Sequence, residues 1–411
     1  MKAFRNIIFT SVCSVLLCGT VFCTVADRLG ADFPDWMKVN PKSSLLEGRK
    51  YQTLPKVNKD SLMDGKFQKD FEKYVNDLVP MRDDILLGNA KMQERLINVA
   101  ASAAGYSAHP TYYGSSKMYD KEYERIVHIP TETSKATTDK LKKAIGNIDT
   151  YMQEHQNYNY TFVTAMDWTL LPQNYASGFV SNPSSYLEMN SLIDAGISNK
   201  INRVDLSIED MQSYDDKYFN TDHHWNMEGG YWAYRKIASQ MGHTNTLVQK
   251  GDLLKFDYVE FLGSQSRNGR YDEVTPDYIF DYDFKLPEYV VTGDGKPNAK
   301  LVHTTQYSEG DASTRKFDDH YRLYFHESFE EMTIDNPSKK GKNLLIIGDS
   351  YKHNIERLLA SHYDTTYVFD PREADMTVDE FIKKYNAEIN DVLILCAVPT
   401  LLNEGFVKSF E

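Results

Sequence analysis

Hydrophobic positions along this chain follow two rhythms, one helical and one strand-like. Phe67, Phe71, Tyr74 and Leu78 make one stripe at helical spacing, Pro80 breaks it, and Ile85, Met92, Leu96 and Val99 make another. These stripes predict an N-terminal helical pair. Between Ser134 and His155, Leu141, Ala144, Ile145, Ile148 and Met152 share one face, and the helix leads into Tyr160-Thr161-Phe162-Val163-Thr164-Ala165, a short buried strand. A second helix and strand end at Asn202-Arg203-Val204-Asp205-Leu206. Tyr231, Tyr234, Ile237 and Met241 then mark a helix that Asn226 can cap.

The most regular stretch comes last. Leu344-Leu345-Ile346-Ile347, Thr366-Tyr367-Val368-Phe369 and Val392-Leu393-Ile394-Leu395 read as buried strands. Ile355, Leu358 and Leu359 support a helix between the first two, and Thr377 with Glu380 forms a capping box opening another before the third. This is a βαβαβ run, and right-handed crossovers turn it into a parallel sheet flanked by helices. Ligands in such sheets bind at the carboxyl ends of the strands. Residues 245–340 break the pattern: they are rich in Asp, Tyr, Pro and Lys, with Gly263, Gly269, Gly293, Gly295 and Gly310 marking turns. They read as an irregular insertion that covers or lines the site.

The N-terminus sets the compartment. Lys2 and Arg5 precede an uncharged stretch, Asn6 to Ala26, before Asp27 and Arg28. Roughly 20 such residues span a hydrocarbon core, and the positive flank stays cytoplasmic. Residues 1–28 are therefore expected to be an uncleaved membrane anchor, in preference to a signal cut after Ala26 that would leave a secreted protein. The remainder would lie outside the cytoplasm. Residues 29–65 are polar, with Pro34, Pro41 and Pro55, and read as a stalk. Together with the helical pair they define a region 29–105, followed by one large domain, 106–411. Cys13, Cys18 and Cys23 fall inside the anchor, so Cys396 is the lone thiol of the exported part and the fold rests on its core. The net charge of -13 argues against nucleic acid or an anionic membrane surface as the main ligand. Twenty-eight Tyr are compatible with sugar contacts, although packing is their ordinary use.

Two motifs carry chemistry. Thr221-Asp222-His223-His224-Trp225-Asn226 supplies a carboxylate and an imidazole; Gly348-Asp349-Ser350-Tyr351 supplies a hydroxyl at the end of a predicted strand. Asp222, His224 and Ser350 are the three groups of an activated serine nucleophile. Gly-Asp-Ser alone makes an ordinary turn, and it gains weight here from the strand before it and the helix after it. In extended chain His223 points away from its neighbours, giving it a supporting place, as for Trp225, which packs. A metal site at Asp222, His223 and His224 is disfavoured, because adjacent histidines rarely converge on one ion. No metal and no cofactor is expected. The strand ending at Asp370-Pro371-Arg372 aims Arg372 into the same crevice.

These residues resemble the DHHW family, within the SGNH-hydrolase-like proteins that include the periplasmic alginate O-acetylation proteins. The resemblance rests on Asp77-Leu78-Val79-Pro80-Met81-Arg82, on Tyr218 through Asn226, on Phe261-Leu262-Gly263-Ser264, on Gly348 through Tyr351 and on Asp370-Pro371-Arg372. It implies an α/β SGNH-hydrolase-like three-layer sandwich over residues 106–411, with a parallel sheet between helices. The motif order would be circularly permuted, an Asp-x-His motif preceding the serine. It further implies acetyl transfer to, or acetyl ester hydrolysis on, a cell-surface polysaccharide, with Asp222, His224 and Ser350 as triad and a membrane-bound O-acyltransferase as partner. The backbone N–H groups of Ser350 and Tyr351, with the Arg372 side chain, stand as oxyanion donors, and His223, Trp225 and Asp349 as supporting residues. A non-catalytic polysaccharide-binding or scaffolding subunit with a silent site is the alternative.

Overall fold

The apolar runs at Asn159–Ala165, Leu344–Gly348, Thr365–Phe369 and Asp391–Ala397 build one sheet, and Ser350 follows directly on one of its inner strands. In the computed structural model the described residues are 43–411 apart from 45, 48, 80, 106–110, 113–116, 129–132, 167–170, 172–185, 305–315 and 327–328. The expected membrane anchor, residues 1–28, lies outside them. No helix among the described residues is long and apolar enough to cross a membrane.

The sheet has eight strands in the order Lys296–Pro297, Val290–Gly293, Glu331–Asp335, Thr365–Phe369, Leu344–Gly348, Asp391–Ala397, Asn159–Ala165 and Asn202–Val204. The last five are mutually parallel, in the register Ile346↔Val368, Ile346↔Leu393 and Leu393↔Thr161. The predicted βαβαβ run is its centre. Every residue of Leu344–Gly348 and Asp391–Ala397 is buried, as expected for strands covered on both faces. The chain leaves Leu344–Gly348 for the neighbour on one side, then returns to pair on the other. Such a switch in direction opens a crevice at the carboxyl end of the middle strand.

Helices flank this sheet. Lys135–Glu154, capped by Ser134, packs against Tyr186–Gly196 and Glu404–Lys408; Met227–Gln240 packs against Glu356–Ala360. The buried face of Lys135–Glu154 is the predicted one, Leu141, Ala144, Ile145, Ile148 and Met152, with Tyr151 added. Val378–Tyr385 opens on the predicted capping box, and Phe381 stacks on Phe369 of the sheet with ring centroids 4.7 Å apart.

Residues 245–340 need correction: much of this segment is regular. Val290–Gly293, Lys296–Pro297 and Glu331–Asp335 extend the central sheet antiparallel to its edge, the first two joined through Asp294 and Gly295, both at positive φ. Leu253–Phe261 and Asp277–Tyr282 form a separate two-stranded ribbon. Asp277–Tyr282 alternates buried and half-buried positions, the signature of a strand, but two of its three inward residues are Asp277 and Asp281. Carboxylates at inward positions disguise the period in the sequence.

The N-terminal helical pair forms, at Lys66–Asp77 and Arg82–Ala103. Its apolar stripe faces solvent: Phe71, Ile85, Met92, Leu96 and Val99 are exposed, the last by 70%. The first described residues of the expected stalk are tied down, whereas Leu54, Val57 and Met63 further along it are exposed. Ser43–Ser44 and Arg49–Lys50 form a hairpin, Arg49 makes a two-pronged ion pair with Asp77, and Arg82 does so with Glu47.

Candidate active site

The loop carrying Asp222 is closed on itself before it meets anything else. Tyr218 pairs with Trp225 in an isolated antiparallel bridge, and the Asn226 N–H donates to the Lys217 carbonyl at 2.9 Å. Asn226 then caps Met227–Gln240 by accepting the Gly229 N–H at 3.1 Å. A Cβ at Gly229 would lie 2.2 Å from the Lys217 carbonyl oxygen, so this closure requires glycine. Beneath the loop, Asp277 from the ribbon accepts the N–H groups of Asn220 and Thr221 and the Thr221 hydroxyl. Burial drives the Asp277 carboxyl up, to about 6, against the lowering effect of those donors.

Ser350 is placed by the other end of the sheet. It begins a tight 3-10 turn, Ser350–Lys352, directly after the central strand, and Asp349 caps that turn by accepting the Tyr351 N–H at 3.0 Å. The other Asp349 oxygen accepts from the Ala397 N–H and the Thr400 hydroxyl, both at 2.7 Å. Asp349 thus ties the turn that carries Ser350 to the neighbouring strand. A Cβ at Gly348 would lie 2.1 Å from the Leu395 carbonyl oxygen, so glycine is needed where the chain leaves the sheet.

The two motifs meet. His224 Nδ1 lies 2.7 Å from Asp222 Oδ1, and His224 Nε2 lies 2.7 Å from Ser350 Oγ. The second Asp222 oxygen accepts the Ser264 N–H at 2.8 Å, and the Asp222 carbonyl accepts from Gln265 at 3.0 Å. Burial alone would raise the Asp222 carboxyl; the adjacent imidazoles and these hydrogen bonds outweigh it and hold the group well below the usual carboxylate range. An ionised Asp222 keeps the proton of His224 on Nδ1, leaving Nε2 to accept from the Ser350 hydroxyl. His224 is buried, whereas Ser350 is partly exposed.

The supporting residues fall into place one by one. His223 turns away from Ser350: its Nδ1 faces the Ser264 hydroxyl at 2.6 Å and its ring lies against His224, centroids 3.8 Å apart. Burial and the neighbouring His224 push the His223 imidazole down to about 3. Trp225 is fully buried and donates its indole N–H to Asn354 at 2.7 Å. Asp222, His223 and His224 do bring ligand-type atoms within 4.8 Å of one another. The Asp222 carboxylate bonds His224 and Ser264, His224 bonds Asp222 and Ser350, and His223 Nδ1 bonds Ser264.

Two expectations change. The Tyr351 N–H is committed to Asp349, and its hydroxyl donates to the His223 carbonyl at 2.5 Å, so Tyr351 braces the loop instead of facing a substrate. Arg372 folds back on Asp370 in a two-pronged ion pair at 2.9 and 2.7 Å, and burial notwithstanding, that pairing holds its guanidinium charged. The Asp-Pro-Arg spacing closes this pair locally, which strand direction alone does not reveal. Lys352 shares Asp370 from the interior at 3.1 Å.

Other site residues carried no legible sign in the sequence. Gly263 presses against Asp222 and Ser264 donates its N–H to the carboxylate, although nothing in the sequence assigns either residue that place. Tyr321 lies flat on His224, ring centroids 3.7 Å apart and planes 3° apart, and its hydroxyl donates to the Ser350 carbonyl at 3.0 Å. A surface cavity of about 640 Å³ beside Trp232, Arg235 and Lys236 includes none of these residues.

No family model matches the chain, and no curated protein matches it. Among solved structures, a DHHW family protein from Eubacterium siraeum superposes on 72% of this chain and 93% of its own, at 18% identity and a TM-score of 0.54. The chain has the fold of that DHHW family protein. PatB1 of Bacillus cereus, solved with a sulfonyl adduct, superposes on 71% of this chain and 96% of its own, at 17% identity and a TM-score of 0.55. The shared architecture is a mixed α/β fold with a central sheet flanked by helices.

Proposed function

We propose that the protein is an extracytoplasmic serine-dependent enzyme that transfers or hydrolyses acetyl esters on a cell-surface polysaccharide. The observation that carries this reading is the continuous chain of contacts from Asp222 through His224 to Ser350, each 2.7 Å long. Asp222, His224 and Ser350 stand in the order of the permuted SGNH-like proteins. The fold shared with PatB1 and the DHHW family protein supports the same class. Anchoring through residues 1–28 and supply of acetyl groups by a membrane-bound O-acyltransferase belong to this proposal.

The chemistry proceeds in two halves. Ser350 Oγ attacks the donor's acetyl carbonyl carbon while its proton passes to His224 Nε2, and the Asp222 carboxylate stabilises the resulting imidazolium. The tetrahedral intermediate collapses, the donor's ester C–O bond breaks, and His224 returns the proton to the departing alkoxide. Ser350 is left as an acetyl ester. A sugar hydroxyl or water then gives its proton to His224 Nε2 and attacks that ester, and Ser350 Oγ leaves and recovers the proton. The Ser350 N–H, at the start of the 3-10 turn, is the oxyanion donor that this geometry offers. Transfer needs an acceptor hydroxyl placed ahead of water; hydrolysis does not.

Purified protein with a chromogenic acetyl ester, with and without oligosaccharide acceptors, tests the proposal. Ser350→Ala should lower turnover by at least about 10³-fold with the fold intact. Equal rates for the two proteins with every donor and acceptor would remove the catalytic reading and leave a binding or scaffolding subunit.

A further inference from the structure

Tyr321 is buried to 1% exposure, so it cannot touch a substrate, yet it contacts both reacting partners of the site. Its ring covers one face of the His224 imidazole, 3.7 Å between centroids and 3° from coplanar, whereas the His223 ring meets the same imidazole at 3.8 Å with a tilt of 38°. Its hydroxyl, at the far end of the same ring, donates to the Ser350 carbonyl at 3.0 Å. One side chain therefore sets the plane of the base and the pitch of the turn that carries the nucleophile.

Tyr321 is itself held on several sides. It sits in the short helix His320–Phe325, whose cap Asp319 accepts the Arg322 N–H at 3.2 Å. His320 stacks on Phe261 with centroids 5.2 Å apart, and Phe219 meets the Tyr321 ring edge-on at 6.4 Å. The Tyr324 hydroxyl is anchored to buried Asp281 at 2.7 Å. Burial, with Asp222 nearby, raises the phenol well above its usual range, which keeps it a neutral donor.

We infer that Tyr321 is a positioning residue of the Ser350 reaction, presenting the electron-rich face of its ring to the imidazolium formed on His224 and fixing the Ser350 turn through its hydroxyl. The inference rests on the proposed acyl-transfer reading of Asp222, His224 and Ser350. When the Ser350 proton moves to Nε2, positive charge appears on a ring whose edge is served by Asp222. The flat face is served by Tyr321, where a cation gains from the ring quadrupole most when water is absent. The stack also blocks rotation of the imidazole away from Oγ, and small misplacements of a base are costly.

The experiment compares Tyr321→Phe and Tyr321→Leu with the unsubstituted full-length protein and Ser350→Ala. Three readouts are taken: kcat and KM on a chromogenic acetyl ester, the rate of Ser350 labelling by phenylmethylsulfonyl fluoride followed by mass spectrometry, and thermal melting. Tyr321→Phe keeps the ring face and loses the hydroxyl, so kcat and the labelling rate should fall by no more than about tenfold. Tyr321→Leu loses both, and they should fall by roughly 30- to 100-fold, with KM within about twofold of the parent in both variants. Rescue by Phe with constant KM separates positioning from a merely structural contribution, which would lower melting and the active fraction without this ordering. Tyr321→Leu at parental kcat and labelling rate, or Phe as damaging as Leu at equal melting temperature, would overturn the inference. Should Leu not fold, Tyr321→Phe decides alone: kcat and a labelling rate lowered by no more than about tenfold at the parental melting temperature uphold the inference, and a larger loss overturns it. A parent protein no more active or reactive than Ser350→Ala would instead sink the acyl-transfer reading itself.

Discussion

Gly263 approaches Asp222 so closely that a Cβ on it would lie 2.3 Å from the Asp222 Cβ and 2.6 Å from its Oδ2. No side chain fits there without moving the carboxylate. The same approach lets the Ser264 N–H reach Asp222 Oδ2 and the Gly263 N–H reach the Thr221 hydroxyl at 2.9 Å. Gly263→Ala should therefore displace Asp222 and lower kcat by about 10²-fold, the scale of a misplacement near 1 Å. A stability loss of about 1–3 kcal/mol should accompany it. Ester kinetics together with chemical denaturation test this, and a fully active, undisturbed variant would show that the loop yields freely.

The ionised Asp222 fixes the tautomer of His224, which gives Asp222→Asn a distinctive outcome. The amide can present its NH₂ to Nδ1 and so favour the imidazole with its proton on Nε2, unable to accept from Ser350. Turnover should fall by about 10⁴-fold while the melting temperature changes little. Parental activity in a correctly folded Asp222→Asn protein would place the base elsewhere.

Away from the site, His362 makes stability depend on pH. Tyr234 accepts the Val248 N–H and donates its own hydroxyl to His362 Nε2 at 2.8 Å, an arrangement that needs the neutral ring. Burial first, then the adjacent His243 stacked at 4.3 Å, push the His362 imidazole down to about 4 from an ordinary 6.5. Below about pH 6.5 the unfolded chain takes up a proton that the folded ring refuses, so stability is complete above that pH and declines as pH falls toward about 4. Between pH 6.5 and 5 this amounts to at most about 2 kcal/mol, less where solvent screens the partly exposed ring. Thermal melts at pH 7 and pH 5 should show a smaller acid-induced drop for His362→Gln than for the parent. Equal drops would assign the acid sensitivity to other groups.

Much of the architecture was legible because burial on two sides leaves a strong mark. Leu344–Gly348 and Asp391–Ala397 are covered on both faces, so their sequences are continuous apolar runs. Lys135–Glu154 is covered on one, so its sequence carries a stripe at helical spacing. The capping box at Thr377 and the cap at Asn226 are local hydrogen bonds between near neighbours, and local spacing predicts them. Asp277–Tyr282 was illegible for the opposite reason: its inward positions hold carboxylates satisfied by Thr221, Arg357 and Tyr324, partners from 43 to 76 residues away.

The site divides along the same line. The sequence by itself determined that Asp222, His224 and Ser350 are present, the first two separated by one residue in a loop before a helix and the third at the end of a strand. Tertiary structure alone decided that His224 Nε2 meets Ser350 across 126 residues, that Arg372 is spent on Asp370, and that Tyr321 and Gly263 shape the base and its carboxylate. Periodicity and capping record contacts a few residues apart, whereas a ring stacked on an imidazole or a glycine pressed against a carboxylate leaves no period. Such contacts exist only once the sheet and the ribbon have brought distant segments together.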